Sequence, residues 1–566
     1  MLLFHPHRRQ AGHNDPVSCR LVEKTVAFFE NKGLKQIKED DQAMTWYEDF
    51  IAFIKQEKVF ATLLTPAGYG GDAARWDMSR IAPFNEVLAF YGLCYWYAWQ
   101  VTILGLGPIW MGSNEAVKQR AAQLLENGEV FAFGLSEKEH GADLYASEMM
   151  LHPQPDGSFL ARGSKYYIGN GNCAALVATF GKLADSGEYV FFVVRSDHPN
   201  YECVKKIDTS GVRQAYVAEF ALHDYPISRE DILSIGKPAW DSSLNSVNIG
   251  KFELGFAALG IATHCFYEAL NHAAKRSLYG HFVTDFPHVR KSFNEAYARV
   301  HAAKLFSLRA GDYLRSASDA DRRYLLFNPI VKMKVTSQGE KVIALLHNVI
   351  AAKGFEQETY FEMAIRDIGM LPKLEGTEHV NMALNIKFIR HYFFAPVDFP
   401  EIPLRDDPAD DAYLFRQVTG GLAQVRFPDY RLAYRGFSSP NVLIFRDQVE
   451  LFRELLSEAP PTAEQLQNID YMLAAGELFT LIVYAQLILE NSRIYQLEET
   501  LLEQIFDFLI RDYAGFALQM ILNHHNQAQQ EGLFRRMLRK PAQNQAASEQ
   551  IWQQVSTLTD CYRMPE

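Results

Sequence analysis

The 566 residues predict an α+β protein in four parts: an N-terminal α-helical domain (1–127), a middle β-barrel-like domain (128–240), a helical bundle (241–395) and, after a linker (396–411), an extra C-terminal helical module (412–566). Three observations predict it. Hydrophobic residues are 48% and charged residues 22%, the balance of a globular chain too long for one core. The apolar pattern turns from helical to strand-like near Val130 and back to helical near Ile249. Helices and strands are also segregated into blocks, which argues against a doubly wound parallel sheet.

In the first block Val22, Val26 and Phe29 fall at i, i+4 and i+7, and Gly33 follows as a natural helix stop. From Val130 the runs VFAFGL, ALVATF, EYVFFVV and VRQAYVAEF are short, apolar or alternating, and are separated by Pro, Gly, Asp and Asn; they read as strands ending near Trp240. Long segments with few breakers follow, among them FELGFAALGIATHCFYEALNHAAKR and FNEAYARVHAAKLFSLRAGDYL, the pattern of a bundle. Pro396, Pro400, Pro403 and Pro408 then punctuate the acidic RDDPADD, which reads as a linker. Beyond it, the uncharged apolar stretch from Leu478 to Leu489 is shorter than the roughly 18–20 residues that span a bilayer, so a buried helix is expected and no transmembrane segment.

Composition removes several function classes. A net charge of -12 and a pI near 5.8 leave no basic surface for a nucleic-acid backbone. Six scattered cysteines without a C-x-x-C pair predict reduced thiols, neither a disulfide framework nor a metal site. The N-terminal MLLFHPHRRQAGHND lacks a continuous apolar core and a cleavage site, so cytoplasmic localisation is expected. The chain also lacks the P-loop, the strand-to-helix G-x-G-x-x-G, H-E-x-x-H and G-x-S-x-G, which withdraws support from common nucleotide, zinc and hydrolase chemistry.

Four strings remain, each ordinary when read alone. Leu135-Ser136-Glu137-Lys138-Glu139-His140-Gly141-Ala142-Asp143 is a polar turn after an apolar run. Lys165-Tyr166-Tyr167-Ile168-Gly169-Asn170-Gly171 reads as a hairpin with an Asn-Gly turn. Lys275-Arg276-Ser277-Leu278-Tyr279-Gly280 places a basic pair at a helix C-terminus, where cations complement the macrodipole. The last runs from Lys353-Gly354-Phe355 through Arg366-Asp367 to Leu374-Glu375-Gly376-Thr377.

In this order and at these separations the four strings resemble the acyl-CoA dehydrogenase family over roughly residues 20–395. The resemblance implies an FAD enzyme that oxidises a fatty acyl-CoA thioester to the trans-2-enoyl-CoA, with Glu375 removing the α proton and electrons passing to an electron-transfer flavoprotein. Phe133, Leu135, Ser136, Tyr167, Gly169, Thr377 and His379 are then expected at the cofactor. Arg276, Tyr279, Asn348, Ala352 and Gly354 are expected to hold the diphosphate and adenosine end of a neighbouring subunit's FAD, which implies an oligomer. The extra C-terminal module makes a homodimer the expected form. Ala142, Lys251, Leu374 and Gly376 are the implied substrate contacts.

The chain also departs from the family pattern. Ala142 replaces serine, Tyr167 tryptophan, Gly169 threonine, and Ala351-Ala352 a Gly-Gly pair that meets the adenosine end. Related oxidases also carry glycine at the position of Gly169, so an oxygen-using acyl-CoA oxidase is the alternative enzyme, and a non-catalytic scaffold of the same fold the alternative to an enzyme. The family places its base either on the Glu-Gly-Thr loop or on a helix, 26 residues before the arginine of the third string, where this chain has Gly250. The nearest helical carboxylate, Glu253, lies about 4.5 Å further along the axis, out of reach of that role and expected to be structural or on the surface.

Overall fold

A computed structural model describes residues 2–8, 15–417 and 419–566; part of the N-terminal stretch read for a targeting signal lies outside the described residues. Helix α1 (Pro16–Ala43) starts on Asp15, whose carboxylate accepts from the Ser18 N–H. The chain does not stop at Gly33: it kinks there (φ 73°, ψ 161°) and resumes as helix. The cause lies far along the sequence. Residues 562–566 lie over the kink, Pro565 C=O accepts from Leu34 N–H at 2.7 Å, and a Cβ on Gly33 would stand 2.6 Å from the Glu566 carbonyl oxygen. Helices α2 (Glu48–Gln56), α3 (Val59–Leu63), α4 (Met78–Tyr91), α5 (Leu93–Met111) and α6 (Glu115–Glu126) complete this region, and α5 is buried along nearly its whole length.

Strands β1 (Phe131–Gly134), β2 (Met150–Pro153), β3 (Phe159–Gly169), β4 (Leu176–Leu183), β5 (Tyr189–Val194), β6 (Tyr201–Lys206), β7 (Val217–Ile227) and β8 (Ile232–Ile235) form one sheet in the order β6-β7-β3-β2-β4-β5-β8, with β1 parallel to β4. The expected barrel-like closure does not occur, because β6 and β8 end the order without pairing to each other. The expected Asn-Gly hairpin is also corrected. The strands flanking Asn170-Gly171, β3 and β4, are not partners. Asn170 (φ 58°) instead turns a corner, its buried Nδ2 donating to Ala98 O at 3.2 Å on α5 and to Phe131 O at 3.1 Å on β1.

Helix α7 (Lys237–Lys275) begins earlier than the periodicity suggests and packs on α4, α5 and three later segments: α8 (Pro287–Arg315), α10 (Thr336–Ile350) and α11 (Tyr360–Ile368). Between α7 and α8 lie the two-residue strands β9 (Ser277–Leu278) and β10 (His281–Phe282), and before α10 comes α9 (Tyr324–Ile330). Helices α12 (Glu378–Asn385) and α13 (Ile389–Phe394) follow, then the proline-rich segment. That segment is pinned down: Arg315 on α8 holds Asp411 at 3.1 Å and the Asp407 carbonyl at 2.8 Å, while Asp410 accepts from the Trp76 N–H at 2.8 Å. The last helices are α14 (Pro440–Glu458), α15 (Ala463–Gln467), α16 (Ile469–Ile494), α17 (Glu499–Asn523), α18 (Ala528–Met537) and α19 (Gln545–Ser556). At 26 residues α16 is longer than the apolar stretch read from sequence, and by length and composition it could cross a bilayer; 78% of its apolar window is buried, and it packs on α8, α12 and α17.

Candidate active site

The site is built around an unusual loop. Pro329 inside α9 lacks the N–H that continues the helical ladder, and the chain widens into a π turn over Val331–Val335. From that turn the Lys332 ammonium donates to the carbonyls of Pro372 and Gly376, 2.5 Å each, clamping both ends of the loop that carries Glu375. Glu375 (φ 53°) and Gly376 (φ 87°) are consecutive left-handed residues. Glycine adopts this freely, whereas for Glu375 it costs on the order of 1–3 kcal/mol and is retained because its surroundings hold it. Thr377 then caps α12 through Val380 N–H.

Two buried helices receive the Glu375 carboxylate. On α5, Gln100 Nε2 donates to Glu375 Oε1 at 2.5 Å and to Gly250 C=O at 3.1 Å. On α7, the missing side chain of Gly250 makes the room: a Cβ there would stand 2.7 Å from Leu104 Cδ2, 2.8 Å from Gln100 Nε2 and closer still to Glu375 Oε2. Oε2 is shut off from solvent and has no hydrogen-bond partner among the described residues. Burial raises the Glu375 pKa to about 7, against the opposing pull of the Gln100 hydrogen bond and of Lys251 and Lys332. Glu253 is not on the surface. It is fully buried, takes a hydrogen bond from Asn85, and is pushed well above the carboxylate range by burial and then by the Glu375 charge.

The ends of β1 and β3 reach the same face of α5. Tyr166 N–H donates to Ser136 C=O at 2.9 Å, and buried Lys165 bonds Leu135 C=O at 3.0 Å and the Glu137 carboxylate at 2.7 Å, so Phe133–Ser136 and Tyr167–Gly169 lie together. Tyr167 is left-handed (φ 64°) and 63% exposed. Gly169 is packed against α5: a Cβ would meet Tyr97 Cε1 and Val101 Cγ1 at 2.7 Å each and the Tyr97 hydroxyl at 2.9 Å. The end of β3 and the Glu375 carboxylate thus meet α5 at neighbouring positions, Tyr97 and Gln100.

A second group gathers around the C-terminal end of α7. Arg276 ends α7 and lies in the same field as Lys353, since both depress the pKa of His272 after burial does. Arg276 has no carboxylate partner among the described residues, Tyr279 is 94% exposed, and Asn348 and Ala352 are exposed beside buried Gly354. Buried His272 Nε2 and His347 Nε2 lack partners here. Ala351 adopts φ 55°, ψ −136°, a region suited to glycine. Thr377 and His379 are exposed just past Glu375, Ala142 lies exposed in the loop after β1, Lys251 is buried on α7, and Leu374 and Gly376 flank Glu375.

The family model described as "Acyl-CoA dehydrogenase, C-terminal domain" matches residues 240–388, the stretch holding Gly250, Arg276 and Glu375. A short-chain specific acyl-CoA dehydrogenase of Megasphaera elsdenii is 22% identical over 279 residues, 49% of this chain and 72% of the relative. An acyl-CoA dehydrogenase of Bacillus subtilis is 22% identical over 57% of this chain and 85% of its own. Residues 240–388 thus match the C-terminal domain of the acyl-CoA dehydrogenase family.

Solved structures of acyl-CoA dehydrogenases share the fold of this chain. An acyl-CoA dehydrogenase from Bacillus anthracis, complexed with FAD, superposes with a TM-score of 0.76 at 17% identity, covering 98% of this chain and 96% of that one. The butyryl-CoA dehydrogenase of M. elsdenii superposes with a TM-score of 0.62 at 20% identity, covering 66% of this chain and 98% of its own. The first likeness therefore extends through the C-terminal module, and the second matches a shorter relative.

Sequence reasoning missed Tyr97, Gln100 and Lys332. Gln100 carried a signal, as a lone amide inside the aromatic and aliphatic run from Leu93 to Met111. Lys332 alternates with apolar residues in VKMKV, and nothing local marks it as the clamp of a loop forty residues away.

Proposed function

We propose that this acyl-CoA dehydrogenase family member removes the α proton of a fatty acyl-CoA thioester with Glu375 while a hydride leaves the β carbon, giving the trans-2-enoyl-CoA. The carrying observation is the Glu375 carboxylate, desolvated to a pKa of about 7, with one oxygen fixed by Gln100 and the other unpartnered. A base of near-neutral pKa is both deprotonated and basic enough at neutral pH. The backbone N–H of Glu375, which makes no hydrogen bond to another described residue, serves the thioester oxygen.

FAD is the cofactor, and the residues present fit it. The exposed Tyr167 beside Gly169 offers a surface to a planar ring, and the unpaired Arg276 with the orphaned His272 and His347 nitrogens suits a diphosphate. When bound, FAD accepts the hydride. Arg276, at the C-terminal end of α7 and without a carboxylate partner among the described residues, serves a second copy's cofactor in a homodimer in this reading. In this reading electrons leave to an electron-transfer flavoprotein. The test is a pair of variants mixed anaerobically with acyl-CoA. Glu375→Gln keeps FAD and loses flavin bleaching by several orders of magnitude, while Glu253→Gln bleaches; the reverse pattern refutes the assignment.

A further inference from the structure

Helix α12 carries the end of the loop that bears Glu375, and it has little of its own to hold it in place. It has eight residues, too few for a helix to be stable alone, and it buries three of them: Asn381, Met382 and Asn385. Two of these are amides. Asn381 Nδ2 donates to the carbonyls of Gly376 at 3.0 Å and Thr377 at 2.9 Å, so the Gly376 carbonyl beside Glu375 is held from α12 as well as by Lys332. Asn385 Nδ2 donates to the Met333 sulfur on the π turn at 3.8 Å. Met382 is therefore the one apolar anchor that α12 buries, and it seats on α16 of the C-terminal module.

Gly476 makes that seat. Glycine is unfavourable inside a helix, and what it supplies here is room. A Cβ on Gly476 would stand 2.5 Å from Met382 Sδ, 2.7 Å from Met382 Cγ and 2.9 Å from Ile386 Cγ2, all inside van der Waals contact. Because Cγ lies near the root of the side chain, turning the methionine tip does not relieve the clash. The Thr480 hydroxyl, one turn further along α16, donates to Met382 Sδ at 3.4 Å. Helix α16 is not free to yield: it is buried from Leu478 to Leu489, and Asn491 Nδ2 donates to the Leu305 carbonyl of α8 at 2.7 Å. The π turn is fastened to the same module. Lys334, two residues after the clamp Lys332, pairs with Glu477 of α16 at 3.9 Å and lies 5.2 Å over the Phe516 ring of α17.

We propose that the C-terminal module positions the catalytic base. Helix α16 fixes α12 through Gly476 and Met382 and the π turn through Lys334, and these two elements hold the Gly376 carbonyl next to Glu375. This rests on the reading of Glu375 as the base of an FAD-dependent dehydrogenase. Gly476 and Met382 are positioning residues, acting on the reaction through Asn381.

The test is Gly476→Ala in the full-length, flavin-containing protein. Butyryl-, octanoyl- and palmitoyl-CoA are mixed with it anaerobically, and the thioester that bleaches the parent flavin fastest is used throughout. The limiting rate of bleaching is expected to fall about tenfold or more, while the thioester concentration giving half that rate changes less than about twofold and the FAD content stays that of the parent. Gly515→Ala, at an exposed glycine of α17 with open space around it, leaves the rate unchanged. In a Met382→Ala protein the Gly476→Ala change has less than about a threefold effect, because the atoms it would meet first are gone. An unchanged rate in Gly476→Ala overturns the proposal. So do losses from the two changes that simply multiply, or a fall in thioester affinity as large as the fall in rate, which marks general loosening. Should Gly476→Ala fail to fold, Thr480→Val, which removes only the hydroxyl on Met382, takes its place; about threefold slower bleaching is expected and an unchanged rate overturns the proposal. A parent protein that holds FAD and is bleached by none of the three thioesters refutes the dehydrogenase reading and the proposal with it, a result distinct from the others.

Discussion

Gly250→Ala adds one methyl group where α7 faces Glu375. Ordinary van der Waals contact begins near 3.4 Å, yet the new Cβ would stand 2.7 Å from Leu104 Cδ2, 2.8 Å from Gln100 Nε2 and closer to Glu375 Oε2. Leu104 and Gln100 belong to a helix buried on all sides, so the carboxylate on its loop is the part that gives way, by about 1 Å. A displacement of that size removes about 100-fold from a proton transfer that needs near-attack geometry, equivalent to about 2.7 kcal/mol of barrier. Stability should change much less, because alanine's helix preference of about 1 kcal/mol over glycine offsets part of the overpacking. Stopped-flow bleaching of the flavin under anaerobic conditions measures the rate, and urea unfolding measures the stability. A Gly250→Ala protein that reduces its flavin within threefold of the parent would show that Glu375 is not the base, or that its position is unimportant.

Four further outcomes are expected. The rate of flavin reduction should rise with pH through an inflexion near 7, since burial lifts the Glu375 pKa from 4.5 to about 7 and only the ionised form accepts a proton; a flat profile between pH 6 and 8 would contradict this. Stability should move the opposite way. Glu375 and Glu268, and Asp367 from 3.8, are all raised by burial to about 7, so the native state holds protons that the unfolded state has released. The stability these carboxyls contribute below their ordinary values is lost as pH rises to about 7, whereas buried His264 and His301, lowered from 6.5 to about 3 and about 4, act in the opposite sense up to 6.5, so thermal melts should show a falling midpoint above pH 6.5. Ala351→Gly should stabilise the protein by about 1 kcal/mol in denaturant titration, because it relieves φ 55°, ψ −136° by more than glycine's added chain entropy removes. Lys332→Met should unfasten the Glu375 loop and slow flavin reduction at least tenfold while the circular-dichroism spectrum is preserved; an unchanged rate would mean the left-handed turn is held by other contacts.

The sequence made the order of helical and strand regions legible, because apolar periodicity is local and survives in any packing. The sheet's closure and the partners of the Asn-Gly corner were not legible. A turn dipeptide specifies the path of its own backbone, whereas Asn170 is oriented by carbonyls on α5 and β1 that are distant in sequence. Glu375 and Arg276 could be picked out only by their place among the four strings. The groups that give Glu375 its properties, Gln100 and Gly250 and Lys332, come from three separate segments, and each looks like ordinary helix when read in place. Gly33 shows the same limit in the opposite sense. Its local signal is a stop, and tertiary packing turned the stop into a bend.

That bend also ties the order of synthesis to the order of folding. Glu30 on α1 receives hydrogen bonds from Tyr91 at 2.6 Å and from Tyr562 at 2.9 Å, and Leu34 N–H finds its acceptor at Pro565. While the chain is still growing, the first helix can assemble with α4 and α5 but has an uncovered notch at Gly33 and an unmet N–H. Only when residues more than five hundred positions later emerge is the notch filled, so the earliest helix is among the last to reach its final state. Until then the Leu34 N–H lacks its acceptor and Glu30 keeps only the Tyr91 hydroxyl.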